Sequence, residues 1–371
     1  MFQLARIDGL GPIKLRRLLD VFGSASSVLS AKRADLLATP GIGPKLASAI
    51  LDRTGAADID QELVEMARAG VRVIFEDDAE YPPSLREIYD SPVFLTIRGE
   101  IEPRDRCAIA IVGSRHGTRY GIDQAERFAT ALAARGITIV SGLARGIDGA
   151  AHRGALAVGG RTIAVLASGI GNIYPPEHVE LAERVSQQGA VISEARMGGV
   201  PLAGLFPLRN RIISGISVGV LVVEAAERSG ALSTAHHAVE QNRDVFAIPG
   251  RLTDPASRGT NKLIRLGATL VTSPEEILEQ LGPIDGLGSA SSTTNGSAIV
   301  PDDVVPTGLS EPERQIWDAM AGEELPVDLL IERTGLDAST VSASLLTMEL
   351  RRLAERLPGS LFRRRSSTPA G

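Results

Sequence analysis

The sequence has one cysteine, Cys107, and no long apolar run. A single cysteine cannot form an intramolecular disulfide, so the composition does not favour an oxidising compartment. No apolar run approaches the roughly 20 residues that span a bilayer. The start of the chain also lacks the charged-then-apolar layout of a secretory signal. We therefore expect a cytoplasmic protein with no membrane partner.

Signatures of several enzyme classes are missing as well. The first glycine loop has Arg115 where a dinucleotide-binding Gly-x-Gly-x-x-Gly motif has its second glycine. Neither the ATP-type phosphate loop Gly-x-x-x-x-Gly-Lys-Ser/Thr nor the Gly-x-Ser-x-Gly nucleophile elbow occurs. The five histidines do not have metal-ligand spacing with the cysteine. We expect no metal, no cofactor and no bond-making chemistry.

The net charge does not mark a protein that coats nucleic acid. Its 45 acidic residues outnumber its 39 lysines and arginines, which gives a formal net charge of −6. An acidic protein can still carry a local basic groove, so this charge argues only against binding by bulk charge. The length of 371 residues is enough for two or three domains.

Short apolar runs alternate with helix-length amphipathic segments in the middle of the chain. The run at 108–112 (AIAIV) ends in a glycine loop, and the pattern repeats after 137–140 (ITIV). Further β-branched runs lie at 162–166, 190–193, 218–223, 245–248 and 268–271. This alternation predicts an α/β protein with a doubly wound parallel sheet. In such a sheet, the carboxyl ends of the strands and the amino ends of the following helices form a crevice that favours anions.

A change in composition along the sequence predicts the boundaries of the domains. Residues 283–308 are rich in Gly, Ser, Thr, Asn and Pro, which is typical of a flexible linker. We therefore expect a helical domain at 1–60, an α/β domain at 61–282, this linker, and a winged-helix domain at 309–371. Strand-like runs at 71–75 and 93–97 lead into the α/β domain.

Two glycine hairpins, at 9–12 (GLGP) and 41–44 (GIGP), each precede a helical pattern in the first domain. This layout is typical of a helix-hairpin-helix module. Such hairpins can offer backbone N–H groups to DNA phosphates, with Lys14 or Lys45 as the nearby cation. The alternative is a small helical bundle in which the glycines only make tight turns.

The last domain begins with a capping box at 310–313 (SEPE), which predicts the start of a helix. Helical patterns at 327–333 and 339–350 follow, and then a basic segment. This order predicts a winged helix, with Arg363, Arg364 and Arg365 as candidate contacts to duplex DNA. The alternative is a protein-interaction domain, because the first turns of the third helix lack Arg, Lys, Asn and Gln.

Polar loops at the ends of the predicted strands suggest a binding site for single-stranded nucleic acid. The ring of Phe206 would offer a stacking surface, and base-on-ring stacking contributes about 1–3 kcal/mol. Core packing is the alternative for a phenylalanine, but the adjacent 209–211 (RNR) favours the surface. The candidate contacts are Gly113, Ser114, Arg115, Ser141, Gly142, Ala144, Arg145, Phe206, Arg209, Asn210, Arg211, Ser229 and Asn261.

Several long motifs resemble one family. They are 111–115 (IVGSR), 141–148 (SGLARGID), 206–215 (FPLRNRIISG) and 245–250 (VFAIPG), in this order. Together they are similar to the DNA-processing protein A family, also called Smf, from about residue 81 to 281. The helical front and the winged-helix tail also resemble the longer family members.

This resemblance implies an extended Rossmann-like domain that binds single-stranded DNA without a cofactor. It implies a homodimer that loads RecA recombinase onto incoming strands in natural transformation. It also implies that Ser114 meets a phosphate through its backbone, and Arg115 through its guanidinium. Double-stranded DNA and single-strand-binding protein are further candidate partners. Some family members have a lysine just before the phenylalanine, where residues 201–205 read PLAGL here.

Two other functions stay open at this point. A nucleoside-monophosphate phosphoribohydrolase of the lysine-decarboxylase-like Rossmann family would carry Pro-Gly-Gly-x-Gly-Thr-x-x-Glu. Residues 229–237 (SGALSTAHH) fall at that place but keep too few of its glycines and lack its glutamate. A role in repair would use the same DNA-binding chemistry as one in transformation.

Overall fold

The computed structural model describes residues 1–55, 58–281, 309–320, 325–351, 353–357 and 361–364. The predicted linker at 283–308 and Arg365 lie outside these residues. The chain divides into two compact units, Met1–Ser291 and Ser292–Gly371, which we describe separately. No helix in the described ranges is both long enough and apolar enough to cross a membrane.

The first unit opens with a group of short helices. These are α1 (Phe2–Ala5), α2 (Pro12–Phe22), α3 (Ala25–Leu29), α4 (Arg33–Ala38), α5 (Pro44–Leu51) and α6 (Ile59–Arg68). Each predicted glycine hairpin precedes a helix with proline in its first turn, α2 or α5. Gly9 and Gly41 have φ values of 79° and 85°, which favour glycine. The helices pack around a core that includes Leu15, Leu18 and Leu36, and Val93 from the approach to β2 joins it.

A nine-stranded sheet follows and forms the centre of the first unit. Its strands are β1 (Arg72–Phe75), β2 (Phe94–Gly99), β3 (Ala108–Val112), β4 (Thr138–Ser141), β5 (Thr162–Leu166), β6 (Gly189–Ser193), β7 (Gly219–Val222), β8 (Asp244–Ala247) and β9 (Thr269–Leu270). Their order across the sheet is β1-β2-β6-β5-β4-β3-β7-β8-β9. The strands from β3 to β9 pair in parallel, as predicted.

The first two strands extend this sheet in the antiparallel sense. β1 pairs with β2, and β2 pairs with β6, where Thr96 lies opposite Ser193. The sheet is therefore mixed, with a parallel centre and an antiparallel edge. The two leading strand-like runs belong to the same sheet as the rest of the α/β domain.

Helices cover both faces of the sheet. They are α7 (Pro83–Arg86), α8 (Arg119–Ala134), α9 (Ile147–Ala157), α10 (Val179–Gln188), α11 (Leu205–Ile216), α12 (Ala231–Glu240), α13 (Arg258–Arg265) and α14 (Pro274–Leu281). Residues of α8 and α9 pack with Ile109 and Ile111 on one face. Residues of α7, α11 and α12 pack with Ala108, Ala110 and Val112 on the other. This alternation along β3 confirms the doubly wound architecture.

The chain reverses its direction across the sheet at β3. From β3 to β6 each new strand lies on one side of the last, and β7 then returns to pair with β3 on its free side. Such a reversal opens a crevice at the carboxyl ends of the strands, because the neighbouring connections leave on opposite faces. The loops after β3, β4, β5 and β6 border this edge of the sheet.

The second unit is a winged helix. Its elements are α15 (Glu311–Ala319), β10 (Leu325–Pro326), α16 (Val327–Thr334), α17 (Ala338–Leu350), β11 (Ala354–Leu357) and β12 (Leu361–Arg364). Ser310 and Glu313 form the predicted capping box at the start of α15. The three strands make a small sheet in the order β10-β12-β11. Ile316, Trp317 and Phe362 belong to its buried core.

Candidate nucleic-acid interface

Two arginines and two aromatic rings form a cluster at the crevice, which we call the cation–ring cluster. The guanidinium carbon of Arg115 lies 4.4 Å from the centroid of the Phe206 ring. The Phe206 and Tyr174 rings meet nearly edge to face, with centroids 6.2 Å apart. Arg145 lies 5.8 Å from the Tyr174 ring. Each residue comes from the connection after a different strand, so the cluster exists only in the folded chain.

All four residues line one cleft, which holds about 360 Å³ of space when the open solvent at its mouth is included. Phe206 and Tyr174 are half-buried, whereas Arg115 and Arg145 are exposed. Exposed guanidinium groups beside partly open rings offer both phosphate contacts and stacking surfaces. The structure therefore brings together Arg115, Arg145 and Phe206, as the sequence predicts.

The loop after β3 is fixed by backbone contacts. The N–H of Ser114 donates to the carbonyl of Glu224 over 2.8 Å, and the carbonyl of Ser114 accepts from the N–H of Ile147 over 3.2 Å. A Cβ at Gly146 would lie 2.3 Å from the Ser114 oxygen, and Gly146 has a φ of 70°. Glycine is required there by both space and conformation. The resemblance implies a phosphate contact through the Ser114 backbone, which stays a prediction, and in this structure the N–H of Ser114 already has the Glu224 carbonyl as its acceptor.

The loop after β4 is held by a buried carboxylate. Asp148 Oδ2 accepts from the N–H of Gly142 over 3.1 Å and from that of Ala144 over 3.4 Å. Burial raises the pKa of Asp148, against the opposing effect of the nearby Arg209. The side chain of Ser141 donates to the carbonyl of Ile111 over 2.6 Å. These groups shape the loop from within, so Arg145 is the member of this loop that can reach a strand.

The arginines of α11 are internal, contrary to the expectation that 209–211 faces the surface. Arg209 and Arg211 are 6% and 4% exposed. Arg209 Nη1 donates to the carbonyls of Gly142, over 2.7 Å, and Val165. Burial lowers the pKa of Arg209 to about 10. A buried guanidinium needs acceptors, and the strand-end carbonyls supply them.

The neighbours of Arg209 have internal partners too. Arg211 pairs with Glu194 at 2.6 Å and with Asp90 at 3.2 Å. Asn210 is 7% exposed, and its side chain donates to the carbonyl of Gly230 over 3.3 Å. These side chains fasten α11 to the loops around it and thereby position Phe206 at its first turn.

Sequence reasoning missed Ser168 and Tyr174, which line the cleft, and Glu177, which pairs with the cleft residue Arg145. Glu177 forms an ion pair with Arg145, in which Nη2 and Oε2 are 3.0 Å apart. This hydrogen bond and a second one to Tyr174 raise the pKa of Arg145. Ser168 also lines the cleft and is 1% exposed, and its hydroxyl has no hydrogen-bond partner in the structure. Tyr174 lies in the segment 174–176 (YPP), which has neither the glycine nor the arginine that marks the other loops of the site.

The remaining candidates lie away from the cation–ring cluster. Ser229 caps its own turn by accepting from the N–H of Ala231. The side chain of Asn261 makes two hydrogen bonds to the backbone of Gly250, of 3.0 and 3.2 Å. Neither Ser229 nor Asn261 lines the cleft. Their loops follow β7 and β8, on the other side of β3 from β4 and β5.

The terminal candidates belong to the two different units of the chain. Lys14 and Lys45 are exposed in the first turns of α2 and α5. Arg363 and Arg364 belong to β12, opposite Glu355 and Ala354 of β11 in register, and their side chains lie outside the described part of the structure. Among the described residues, no group of three or more His, Cys, Asp or Glu could hold a metal ion.

Three sequence families match successive parts of the chain. Residues 72–282 match the family described as DNA recombination-mediator protein A. Residues 300–360 match its winged-helix domain, and residues 2–55 match a SAM-like helix-hairpin-helix tandem. These matches agree with the helical front, the central sheet and the winged helix seen in the structure.

Named relatives cover most of the chain. Protein Smf of Escherichia coli is 43% identical over 83% of this chain and 81% of its own length. Protein Smf of Synechocystis is 34% identical over 97% of both chains.

Two solved structures share the fold. The X-ray structure of DNA processing protein A from Streptococcus pneumoniae is 34% identical, with a TM-score of 0.66, and the match covers 75% of this chain and 96% of that one. A structure of the Helicobacter pylori protein, described by its single-stranded DNA binding mode, is 29% identical with a TM-score of 0.52. That match covers 57% of this chain and 95% of the other. The chain belongs to the DNA recombination-mediator protein A family.

Proposed function

We propose that this protein binds single-stranded DNA in the crevice and acts as a non-enzymatic recombination mediator. The observation that carries the proposal is the cation–ring cluster, in which Arg115 stacks on Phe206 at 4.4 Å and Arg145 lies over Tyr174. Stacking of bases on rings or on guanidinium planes tolerates any sequence, and arginine adds phosphate contacts. A protein that must accept strands of any sequence needs this combination.

The surroundings of the cluster support side-chain binding of phosphates. The backbone N–H groups of Ser114, Gly142 and Ala144 already donate within the protein. Arg115 and Arg145 are therefore the cations that a strand would meet at this edge. Because a base on Phe206 competes with the Arg115 guanidinium for the same ring face, we expect Arg115 to swing toward a phosphate or to stack on the next base.

Relatives support the choice of ligand. The Helicobacter pylori protein with the same fold is described by its binding of single-stranded DNA. The family name describes mediation of recombination. We extend this to RecA recombinase loading in natural transformation, with single-strand-binding protein and duplex DNA as further partners, and to a cytoplasmic location.

A homodimer is part of the proposal. β9 is the last strand of the sheet, and Leu270 in this strand and Leu266 before it are 47% and 72% exposed. Exposed leucines at an open sheet edge are typical of a contact surface. Sedimentation of the wild-type chain and of the Leu266→Glu variant tests this part, with a shift from dimer to monomer as the expected result.

Replacing Arg115 by Ala tests the site directly. We expect the affinity for labelled oligo-dT to fall at least about ten-fold, and the salt slope to fall by about 0.7 for one lost phosphate contact. The matched control is Arg119→Ala, which removes an exposed arginine that pairs with Asp123 in the first turns of α8. Unchanged binding by Arg115→Ala at moderate salt, measured by fluorescence anisotropy, would refute this site.

The non-enzymatic part of the proposal has a separate test. Incubation of the protein with nucleoside monophosphates should release no free base, as followed by chromatography. Release of a base would instead support the phosphoribohydrolase alternative.

A further inference from the structure

A second, larger groove adjoins the cation–ring cluster. It encloses about 1580 Å³ of space open to solvent, between the first glycine hairpin and α11. Ala167 lines both the cleft and this groove. Leu205 and Leu208 of α11 line it on either side of Phe206 in sequence. The groove therefore continues from the place where the proposed function seats a base.

The walls of the groove suit nucleotides. Leu208 is 57% exposed, although it lies in a groove that also contains the apolar side chains of Ile13 and Phe94. An exposed apolar side chain in a concave surface offers a contact for a base or a sugar. Tyr89, which is 83% exposed, precedes the groove residue Asp90.

Two buried arginines along the groove have unused donors. Arg211 Nη1 and Arg209 Nε are buried and have no hydrogen-bond partner in the structure. Both side chains line the groove. Because a buried guanidinium donor without an acceptor is costly, an acceptor from a ligand would stabilise this arrangement.

The charges of the groove favour an anionic ligand slightly. Lys14, Arg209 and Arg211 face Asp90 and Glu194, which gives three cations against two carboxylates. Arg211 pairs with both carboxylates, and its single positive charge offsets one of their two negative charges. Lys14 is exposed and is the cation of the groove that remains at its surface.

The first glycine hairpin adds a helix N-terminus to this wall. Gly11 is the N-cap of α2, a helix of 11 residues, so the described part of the chain has no N-cap side chain that accepts from the first turn. Gly9, Gly11 and Lys14 all line the groove. Free N–H groups, the helix dipole and a lysine together form a surface that attracts phosphate.

We propose that the groove between the first hairpin and α11 carries the strand onward from the cation–ring cluster, with a phosphate at Lys14 and bases along Leu205 and Leu208. This inference rests on the proposed function, because it extends the same strand. It gives the helical front a role in binding single-stranded DNA rather than duplex DNA. The two hairpins then differ, since Lys45 is not among the residues that line the groove.

Photo-crosslinking of the full chain to a 4-thiothymidine strand maps the path. After trypsin digestion, we expect crosslinks in the peptides 7–14 and 197–209. Crosslinks in 197–209 alone would overturn the groove and leave the proposed function standing. Crosslinks in neither peptide would count against both.

Charge reversal at the two hairpin lysines gives an independent test. We expect Lys14→Glu to lower the affinity for oligo-dT of about 16 nucleotides at least about five-fold at 0.1 M salt, the equivalent of one phosphate contact. Binding of a strand of about 4 nucleotides, held by the cluster alone, should stay within about two-fold. The control is Lys45→Glu, which should change neither. Equal losses for both variants, or a loss for duplex DNA only, would overturn the inference.

Discussion

Arginines of the crevice differ in their exposure to solvent. Arg115 and Arg145 follow glycine loops and are exposed, whereas Arg209 and Arg211 follow Phe206 and are buried against carbonyls and carboxylates. The exposed pair is able to reach a ligand directly. The buried pair sets the positions of the loops and of Phe206. In the proposed function, arginine therefore serves both to bind the strand and to position the loops within one crevice.

Glu177 limits the positive charge of the cleft, because its carboxylate pairs with Arg145. The Glu177→Gln variant removes that charge and leaves Arg145 available to a phosphate. We expect the affinity for oligo-dT to rise by up to about five-fold at 0.1 M salt, the equivalent of one added phosphate contact. Fluorescence anisotropy measures the change. The matched control is Glu126→Gln, which breaks a similarly exposed ion pair with Arg153. Weaker binding of oligo-dT by Glu177→Gln would contradict this role of Glu177.

His152 should make stability depend on pH. Burial lowers its pKa to about 3, from an ordinary value of 6.5. Below about pH 6.5 the unfolded state therefore binds a proton that the folded state does not, so stability falls as the pH falls toward 3. The His152 Nδ1 atom bonds to Thr162 over 2.7 Å, and Nε2 has no partner among the residues that the structure describes. Protonation would bury an unsatisfied charge at Nε2.

The His152→Asn variant should lose this part of the pH dependence. We expect its free energy of unfolding to fall less steeply between about pH 6 and pH 4, by up to about 1.4 kcal/mol per pH unit, the slope of one proton. Urea unfolding over this range measures it, with the exposed His236→Asn variant as control. A slope equal to that of the wild type would exclude His152 as the cause.

Residue roles were only partly predictable from the sequence. Arg115, Arg145 and Phe206 carry local signals, since each lies beside a glycine loop or at a helix start. The burial of Arg209 depends on the carbonyls of Gly142 and Val165, which lie 67 and 44 residues away in the chain. Periodicity within one helix cannot reveal partners that folding brings from that distance.

At the scale of elements, α11 connects the site to the sheet. Phe206 lies in its first turn, and Arg209 joins it to the ends of β4 and β5 one turn later. A Cβ at Gly142 would lie 2.1 Å from Arg209 Nη1, so the loop and the arginine fit together closely. This close fit therefore fixes the position of the start of α11 relative to the loop after β4.

Replacing Arg209 by Met should destabilise the protein while leaving the exposed cations in place. The change leaves two buried carbonyls without their donor and leaves Asp148 buried without its nearby cation. We expect a loss of about 3 kcal/mol in the free energy of unfolding. Urea unfolding measures the loss, with Arg119→Ala as the surface control. A loss below about 1 kcal/mol would show that Arg209 is not a structural link.

The parallel strands were predictable because each is a short apolar run before a turn. The runs at 108–112 and 162–166 match β3 and β5 without any shift. The antiparallel pairing of β2 with β6 joins residues almost a hundred positions apart, and no local pattern specifies it. The start of α9 at Ile147 is also hard to predict, because it comes directly after the glycine loop.

The whole molecule combines a net charge of −6 with a cationic site. The cleft presents Arg115 and Arg145 beside two rings although the chain as a whole is acidic. Binding that depends on a few local contacts should show a modest salt slope. The front helices, the sheet and the winged helix form two units, and the proposed strand path lies wholly in the first.

The most direct measurement compares strand and duplex binding by the whole chain and by a chain that ends at Leu281. Fluorescence anisotropy of labelled oligo-dT and of a duplex of equal length, over a salt series, gives both affinities and both slopes. The account predicts tight strand binding that survives the truncation, with a clear preference for the single strand. Loss of strand binding on truncation would place the DNA site in the winged helix and contradict the account.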